Sequence, residues 1–149
     1  MPEQTTRAPN ENFPILFVDD DPTSHKIVQA QLVDWNIVYA FSAEEALDIL
    51  SRENILIVIT DIAMPGMNGI ELLRRIKRTN GAIQVIIITA TLDMDNLIHA
   101  LEAGANDFLL KPLRRENLLQ AIVNTLQKTR RWKKVMSELF EKRRQEQKS

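Results

Sequence analysis

The 149-residue sequence has no cysteine, only four glycines, and few aromatic residues: two tryptophans, one tyrosine and five phenylalanines. Without cysteine there can be no disulfide framework and no thiolate metal site. No apolar run approaches the length of a membrane-spanning helix. The rest of the composition, 44% hydrophobic and 26% charged residues, is typical of one globular domain with appendages, and the expected location is the cytoplasm.

The formal net charge of −1 hides a strong asymmetry along the chain. Residues 1–127 carry 10 basic and 17 acidic side chains, whereas residues 128–149 carry 9 basic and 3 acidic ones. An acidic body argues against a globular nucleic-acid-binding domain, which leaves the basic tail as the one contact for an acidic partner. No helix-turn-helix or zinc motif fits into residues 128–149, so direct DNA binding is not expected.

Apolar segments typical of buried strands alternate with segments of helical spacing. Strands are predicted at residues 15–18, 36–41, 55–59, 84–89 and 106–110. Alternation at this spacing predicts right-handed βαβ crossovers, and therefore a mostly parallel α/β sheet with helices on both faces. The polar residues 1–12, with two prolines, are predicted to be a flexible leader.

Several local signals mark the ends of the predicted helices. Asp21 before Pro22 is a typical helix start, and Ser42 with Glu45 matches a capping box. Asn80 and Gly81 favour a left-handed cap after the third helix. Beyond residue 127 an apolar stripe continues in a charged helix, which could pack on the core, dimerise as a coiled coil, or begin a linker to an output domain.

Polar side chains lie at the C-terminal ends of four of the five predicted strands: Asp19, Asp20 and Asp21, then Asp61, Thr89 and Lys111. In a parallel sheet these residues share one edge, and the carboxylates would repel unless one is protonated or a cation lies among them. Oxygen ligands without His or Cys suit Mg²⁺, and a lysine with a hydroxyl would complete a phosphoryl site. His25 and His99 lie on predicted helices and are expected to be surface residues.

These motifs resemble the receiver domain of two-component response regulators over residues 13–128. The resemblance is carried by Asp19-Asp20, Asp61 in the segment TDIAMPGMNG, Thr89-Ala90, Phe108, and Lys111-Pro112. It implies a flavodoxin-like three-layer sandwich with strand order 2-1-3-4-5. A charged helical extension or linker would then occupy residues 129–149.

The resemblance also implies a chemistry. Asp61 would be the phosphoacceptor, taking a phosphoryl group from a sensor histidine kinase or a histidine phosphotransfer protein. Mg²⁺ would be bound by Asp20, Asp61 and the backbone carbonyl of Ala63, with Asp19 acting through a water ligand. Lys111 would pair with the phosphoryl oxygens. The protein would then be no enzyme beyond its own phosphorylation and dephosphorylation.

A signalling switch is implied as well. Thr89 would turn toward the phosphoryl group and Phe108 would move inward, which would redraw the surface from the fourth to the fifth helix. A downstream effector protein or domain would bind there, and a homodimer could form through that face or through the C-terminal helix. The family's bond matching Lys111-Pro112 is commonly cis. Asp21 is assigned to capping.

Three alternatives remain at this stage. The chain could be the receiver fragment of a larger regulator whose effector follows residue 149. A Mg²⁺-dependent aspartyl phosphatase would need a second acid where Ala63 stands. A flavodoxin-like binder of a nucleotide or flavin would need a Gly/Ser/Thr phosphate loop, where this chain has DDDPTS.

Overall fold

A computed structural model of the protein describes residues 14–91 and 93–148, so the predicted leader at 1–12 lies outside the described residues. Five strands alternate with five helices in this part of the chain. The strands are β1 Ile15–Val18, β2 Ile37–Ala40, β3 Ile57–Asp61, β4 Gln84–Thr89 and β5 Asp107–Leu110. The helices are α1 Pro22–Gln31, α2 Ala43–Arg52, α3 Gly69–Thr79, α4 Met94–Glu102 and α5 Arg115–Gln147.

The strands form one parallel sheet in the order β2-β1-β3-β4-β5, which confirms the expected topology. One apolar core lies between the sheet and helices α2, α3 and α4. A second core lies on the opposite face, against α1 and α5. Covered on both faces, the central strands β1 and β3 bury every residue, which is why their sequences show no polar alternation.

Strand β3 begins two residues later than the apolar run suggests. Ile55 is buried, but its N–H bonds the carbonyl of Glu53 in the turn that follows α2, and pairing with β1 and β4 begins at Ile57. At the other end of the strand, pairing with β4 continues to Asp61. Asp61 is the last residue of the strand, paired with Ile88, at the carboxyl edge where the sequence predicts it.

The helix starts agree with the sequence more closely than the end of α3 does. Asp21 accepts the N–H of Thr23 at 2.9 Å and caps α1 as predicted. Ser42 accepts the N–H of Glu45 at 3.0 Å, but the carboxylate of Glu45 accepts the N–H of Phe41, one residue before the position that a capping box requires.

The left-handed cap predicted at Asn80 and Gly81 is wrong. Asn80 is extended, with φ −151°, and the glycines of positive φ within the described residues are Gly66 and Gly104. Side chains replace the cap: the amide oxygen of Asn80 accepts the N–H of Ala82, and the Lys77 ammonium donates to the carbonyl of Ile83 at 2.6 Å. The backbone can therefore leave the helix without a residue in the left-handed region.

Helix α5 runs without a break for 33 residues, so residue 128 lies inside it. Its buried face ends at Leu126. The stripe beyond, Trp132, Val135, Met136, Leu139 and Phe140, is 41–61% exposed and therefore does not pack back on the core. None of the helices in the described part of the chain has the length and apolar character needed to cross a membrane.

Candidate functional site

Three carboxylates meet at the C-terminal edge of the sheet. β1 and β3 are neighbours with Val18 paired to Thr60, and this register brings Asp19 beside Asp61. Oxygens of Asp19, Asp20 and Asp61 all lie within 4.8 Å of one another. Asp19 and Asp61 are buried and Asp20 is exposed, so the cluster opens to solvent on the side of Asp20.

Lys111, directly after β5, contacts the buried part of this cluster. Its Nζ lies 2.8 Å from Oδ2 of Asp19, 3.4 Å from Oδ2 of Asp61 and 3.3 Å from Oγ of Ser24. The Lys111 side chain is 20% exposed and that of Asp19 is fully buried. The group contains one ammonium and three carboxylates, so it carries a formal charge of −2 when all its members are ionised.

Burial and this imbalance of charge together set the pKa values of the site. Burial raises the pKa of Asp61; Lys111 counteracts that shift and the neighbouring charge of Asp19 adds to it, with a net rise. Burial would by itself lower the pKa of Lys111, but its hydrogen bond to Asp19 and the charges of both acids outweigh that effect and raise it. Lys111 is therefore held charged, while Asp61 is a carboxylate whose negative charge is only partly compensated.

The position of Asp61 is fixed from two sides. Its Oδ1 accepts the N–H of Ile62 at 2.9 Å, and Gly69, the first residue of α3, donates its N–H to the carbonyl of Ile62 at 2.9 Å. The helix start approaches so closely that a Cβ on Gly69 would lie 2.0 Å from the carbonyl oxygen of Asp61. Only glycine fits there, which ties the start of α3 to the end of β3.

The remaining predicted site residues lie nearby without joining the carboxylates. Thr89 is buried, and its hydroxyl bonds the backbone of Thr91, donating to the carbonyl at 3.2 Å and accepting from the N–H at 3.3 Å. Phe108 is half-buried on β5 and packs on the core next to α2, α3 and α4. Ala63 is exposed in the loop after β3, and the Lys111–Pro112 peptide bond is cis, as expected.

Two residues of α1 belong to the site although the sequence pattern did not indicate them. The expectation that His25 lies on the surface is wrong: it is 3% exposed, and its Nε2 lies 2.7 Å from the carbonyl oxygen of Asp19. Ser24 is buried and contacts Lys111. Both stand in the first turn, where helical side chains lean back toward the N-terminus and hence toward the strand end. His99 is exposed, as expected.

The donor set of the cluster fits a divalent cation. Its oxygens are hard ligands, no His or Cys contributes, and the formal charge of −2 would be neutralised by one such ion. The exposed carboxylate of Asp20 provides a route from solvent. The acidic cluster is therefore compatible with metal binding.

Comparison with known proteins gives consistent results. The sequence model of the response regulator receiver domain matches residues 15–123. The transcriptional regulatory protein ZraR of Escherichia coli (strain K12) is 38% identical over 122 residues, which are 80% of this chain and 28% of ZraR. The chain thus spans little more than a quarter of that curated relative.

Solved structures of similar fold are receiver domains. One from Clostridium thermocellum is 34% identical, with a TM-score of 0.74, and the match covers 79% of this chain and 97% of that one. A CheY-like receiver domain protein from Methanospirillum hungatei JF-1 is 27% identical, with a TM-score of 0.76, covering 80% of this chain and 97% of that one.

Proposed function

The chain belongs to the response regulator receiver family, and from that membership we propose that Asp61 accepts a phosphoryl group in two-component signalling. The observation that carries the proposal is Lys111, whose ammonium lies within 3.4 Å of both Asp19 and Asp61. A carboxylate, an ammonium and further carboxylate oxygens that surround one point at the sheet edge support this role, because phosphoryl transfer needs a nucleophile and positive charge close together.

In the proposed reaction an Asp61 oxygen attacks the phosphorus of a phosphohistidine. An O–P bond forms as the P–N bond breaks, and the imidazole nitrogen of the donor keeps the electron pair and takes up a proton. Lys111 is held charged by Asp19 and is placed to pair with phosphoryl oxygens. The hydrogen bond from the N–H of Ile62 to Oδ1 fixes the orientation of the Asp61 carboxylate, which favours in-line attack.

We assign Mg²⁺ as the cation, held by Asp20, Asp61 and the backbone carbonyl of Ala63, with Asp19 acting through a water ligand. When bound, the ion would draw charge from the phosphoryl oxygens. The three side chains form the acidic cluster at the sheet edge, and Ala63 follows Asp61 by two residues in an exposed loop. Ala63 offers no carboxylate, which argues against the alternative of an aspartyl phosphatase.

We propose that Thr89 and Phe108 report the modification. The hydroxyl of Thr89 now bonds only its own loop, through Thr91, and it can be drawn to a phosphoryl group at the cost of two long hydrogen bonds. Phe108 is half-buried and can move inward behind it. The outcome would be a shift in population between two conformations of the surface formed by α4, β5 and α5.

The wider setting belongs to the same proposal. The phosphodonor would be a sensor histidine kinase or histidine phosphotransfer protein in the cytoplasm, and the receiver domain would occupy residues 13–128, followed by a charged helical extension at 129–149. Output would pass to an effector protein or domain, or through a homodimer. A flavodoxin-like binder of flavin is disfavoured because the loop after β1 presents carboxylates, which repel phosphate.

The proposal is tested by intact mass after incubation with Mg²⁺ and acetyl phosphate. The wild-type protein should gain one phosphoryl group, and Asp61→Asn should gain none. Asp21→Asn is the matched control, because it removes a neighbouring carboxylate that caps α1 and lies outside the cluster, and asparagine caps equally well. A folded wild-type protein that takes up no phosphoryl group under these conditions refutes the proposal.

A further inference from the structure

His25 lies directly behind the acid cluster. Its Nε2 is 2.7 Å from the carbonyl oxygen of Asp19. A carbonyl oxygen can only accept, so Nε2 carries the proton and donates it. The carbonyl belongs to the peptide that joins Asp19 to Asp20, and both of these residues contribute carboxylates to the cluster. The histidine thus holds the backbone unit from which two of the three acids project.

The His25 ring also lies among aromatic side chains. It stacks on Phe41 with centroids 4.1 Å apart, and it meets Phe17 and Tyr39 at 5.3 Å each. Its second nitrogen, Nδ1, is buried and has no hydrogen-bond partner among the residues that the structure describes. A phenylalanine would make the same ring contacts without burying an unpartnered nitrogen. Packing alone therefore does not account for an imidazole at this position, whereas its one hydrogen bond does.

That bond completes the anchoring of Asp19. The backbone N–H of Asp19 donates to the carbonyl of Ala40, and its carboxylate accepts from the N–H of Asp21 and from Lys111. Its carbonyl is the remaining polar group, and the residue is fully buried. Without the imidazole, this carbonyl loses the donor that fixes its direction, and the Asp19–Asp20 peptide can rotate.

We propose that His25 is a positioning residue of the phosphoryl site, which holds the Asp19–Asp20 peptide so that both carboxylates face Asp61. It touches no substrate and acts only through Asp19. This role rests on the proposed function, since it concerns the same carboxylates. It predicts that the donor nitrogen, and not the aromatic ring, sets the affinity of the cluster for a divalent cation.

Two substitutions separate the nitrogen from the ring. His25→Phe keeps the aromatic contacts and removes the donor. His25→Gln removes the ring but can place an amide N–H where Nε2 stands. The readouts are the dissociation constant for Mg²⁺ alone by titration calorimetry, the rate of phosphorylation by acetyl phosphate from intact mass, and the midpoint of urea unfolding.

The two variants should rank in opposite orders for function of the site and for stability of the fold. His25→Phe should weaken Mg²⁺ binding and slow phosphorylation by about 10- to 100-fold, as loss of a group that orients metal ligands does. His25→Gln should stay within about threefold of wild type in both. In urea the Phe variant should be the more stable of the two, because only it retains the packing against Phe41.

Other outcomes overturn the role. Mg²⁺ affinities and rates that follow the order of the urea midpoints would show that His25 only supports the fold. The tautomer is checked in the wild-type protein by long-range ¹H–¹⁵N correlation, and a proton on Nδ1 instead of Nε2 refutes the role whether or not the variants fold. A wild-type protein that neither binds Mg²⁺ nor is phosphorylated refutes the proposed function and this role together.

Discussion

Replacing Gly69 with alanine should damage both the fold and the site, because the start of α3 lies against the end of β3 without room for a side chain. A Cβ at this position would lie 2.0 Å from the carbonyl oxygen of Asp61 and 2.8 Å from its carbonyl carbon. A methyl carbon and a carbonyl oxygen are comfortable at about 3.3 Å, so the two backbones must separate by about 1.3 Å. Both neighbours are backbone atoms, so no side-chain rotation relieves the contact.

The cost has two parts. Overpacking of this kind typically costs about 1–3 kcal/mol. The separation also breaks the hydrogen bond from Gly69 to Ile62, which contributes about 1 kcal/mol. We therefore expect the free energy of unfolding to fall by about 2–4 kcal/mol. Because Asp61 moves with its carbonyl, the rate of phosphorylation should fall by about 100-fold, as a displacement near 1 Å at a reacting group can cause.

Urea unfolding gives the free energy, and intact mass after timed exposure to acetyl phosphate and Mg²⁺ gives the rate. Gly81→Ala is the matched control: its φ is not positive, and the nearest atom to its new Cβ is the Lys77 carbonyl oxygen at 3.8 Å. That variant should match wild type or gain up to about 1 kcal/mol. A Gly69→Ala protein within about 0.5 kcal/mol of wild type would refute the close-packing argument.

Three further predictions concern the charges of the site. Burial raises the pKa of Asp61 in the folded protein, so protonated Asp61 favours the fold; this contribution is fully present below the unfolded pKa near 3.8 and is lost as the pH rises through the folded pKa. In urea unfolding, Asp61→Asn should therefore be more stable than wild type at pH 7, and this difference should shrink toward pH 3. Lys111→Met should lower the free energy of unfolding by about 3 kcal/mol, since fully buried Asp19 loses its cation, and should tighten Mg²⁺ binding in calorimetry because an ammonium no longer competes. Asp21→Ala should cost about 1 kcal/mol in urea, from loss of the cap on Thr23, and leave Mg²⁺ affinity within about twofold.

Each of these has an outcome that contradicts it. An Asp61→Asn variant less stable than wild type at pH 7 would mean that the carboxylate is compensated in the fold. Weaker Mg²⁺ binding by Lys111→Met would mean that the lysine organises the acids and does not compete with the ion. A Mg²⁺ affinity that falls with Asp21→Ala would place Asp21 in the cluster, from which the geometry excludes it.

The residue patterns predicted the alternation of strands and helices, and two strands, Ile15–Val18 and Gln84–Thr89, agree with the structure to the residue. This succeeds because a strand buried on both faces needs an unbroken apolar run, which is a property of neighbouring residues. The same logic placed acids at strand ends, and parallel strands bring such ends to one edge. The edge of the sheet and most of its charged residues could therefore be predicted from the sequence.

What failed depended on hydrogen bonds that the pattern of apolar residues does not record. The start of β3 is decided by where β1 and β4 offer partners, so the apolar Ile55 lies outside the ladder. The chain leaves α3 without a left-handed residue because Lys77 reaches over the turn to the carbonyl of Ile83. Neither contact has a periodic signature in the sequence.

The largest difference concerns the inner side of the site. A lone histidine on a short helix is by itself more typical of a surface, and the direction it faces follows only from the docking of α1 on the sheet. That docking buries His25 against Asp19 and brings Ser24 to Lys111. The sequence alone thus determined which charges meet at the sheet edge, since that depends on strand order and length. The tertiary structure decided which neutral side chains contact those charged residues, because this depends on how one helix rotates against the sheet.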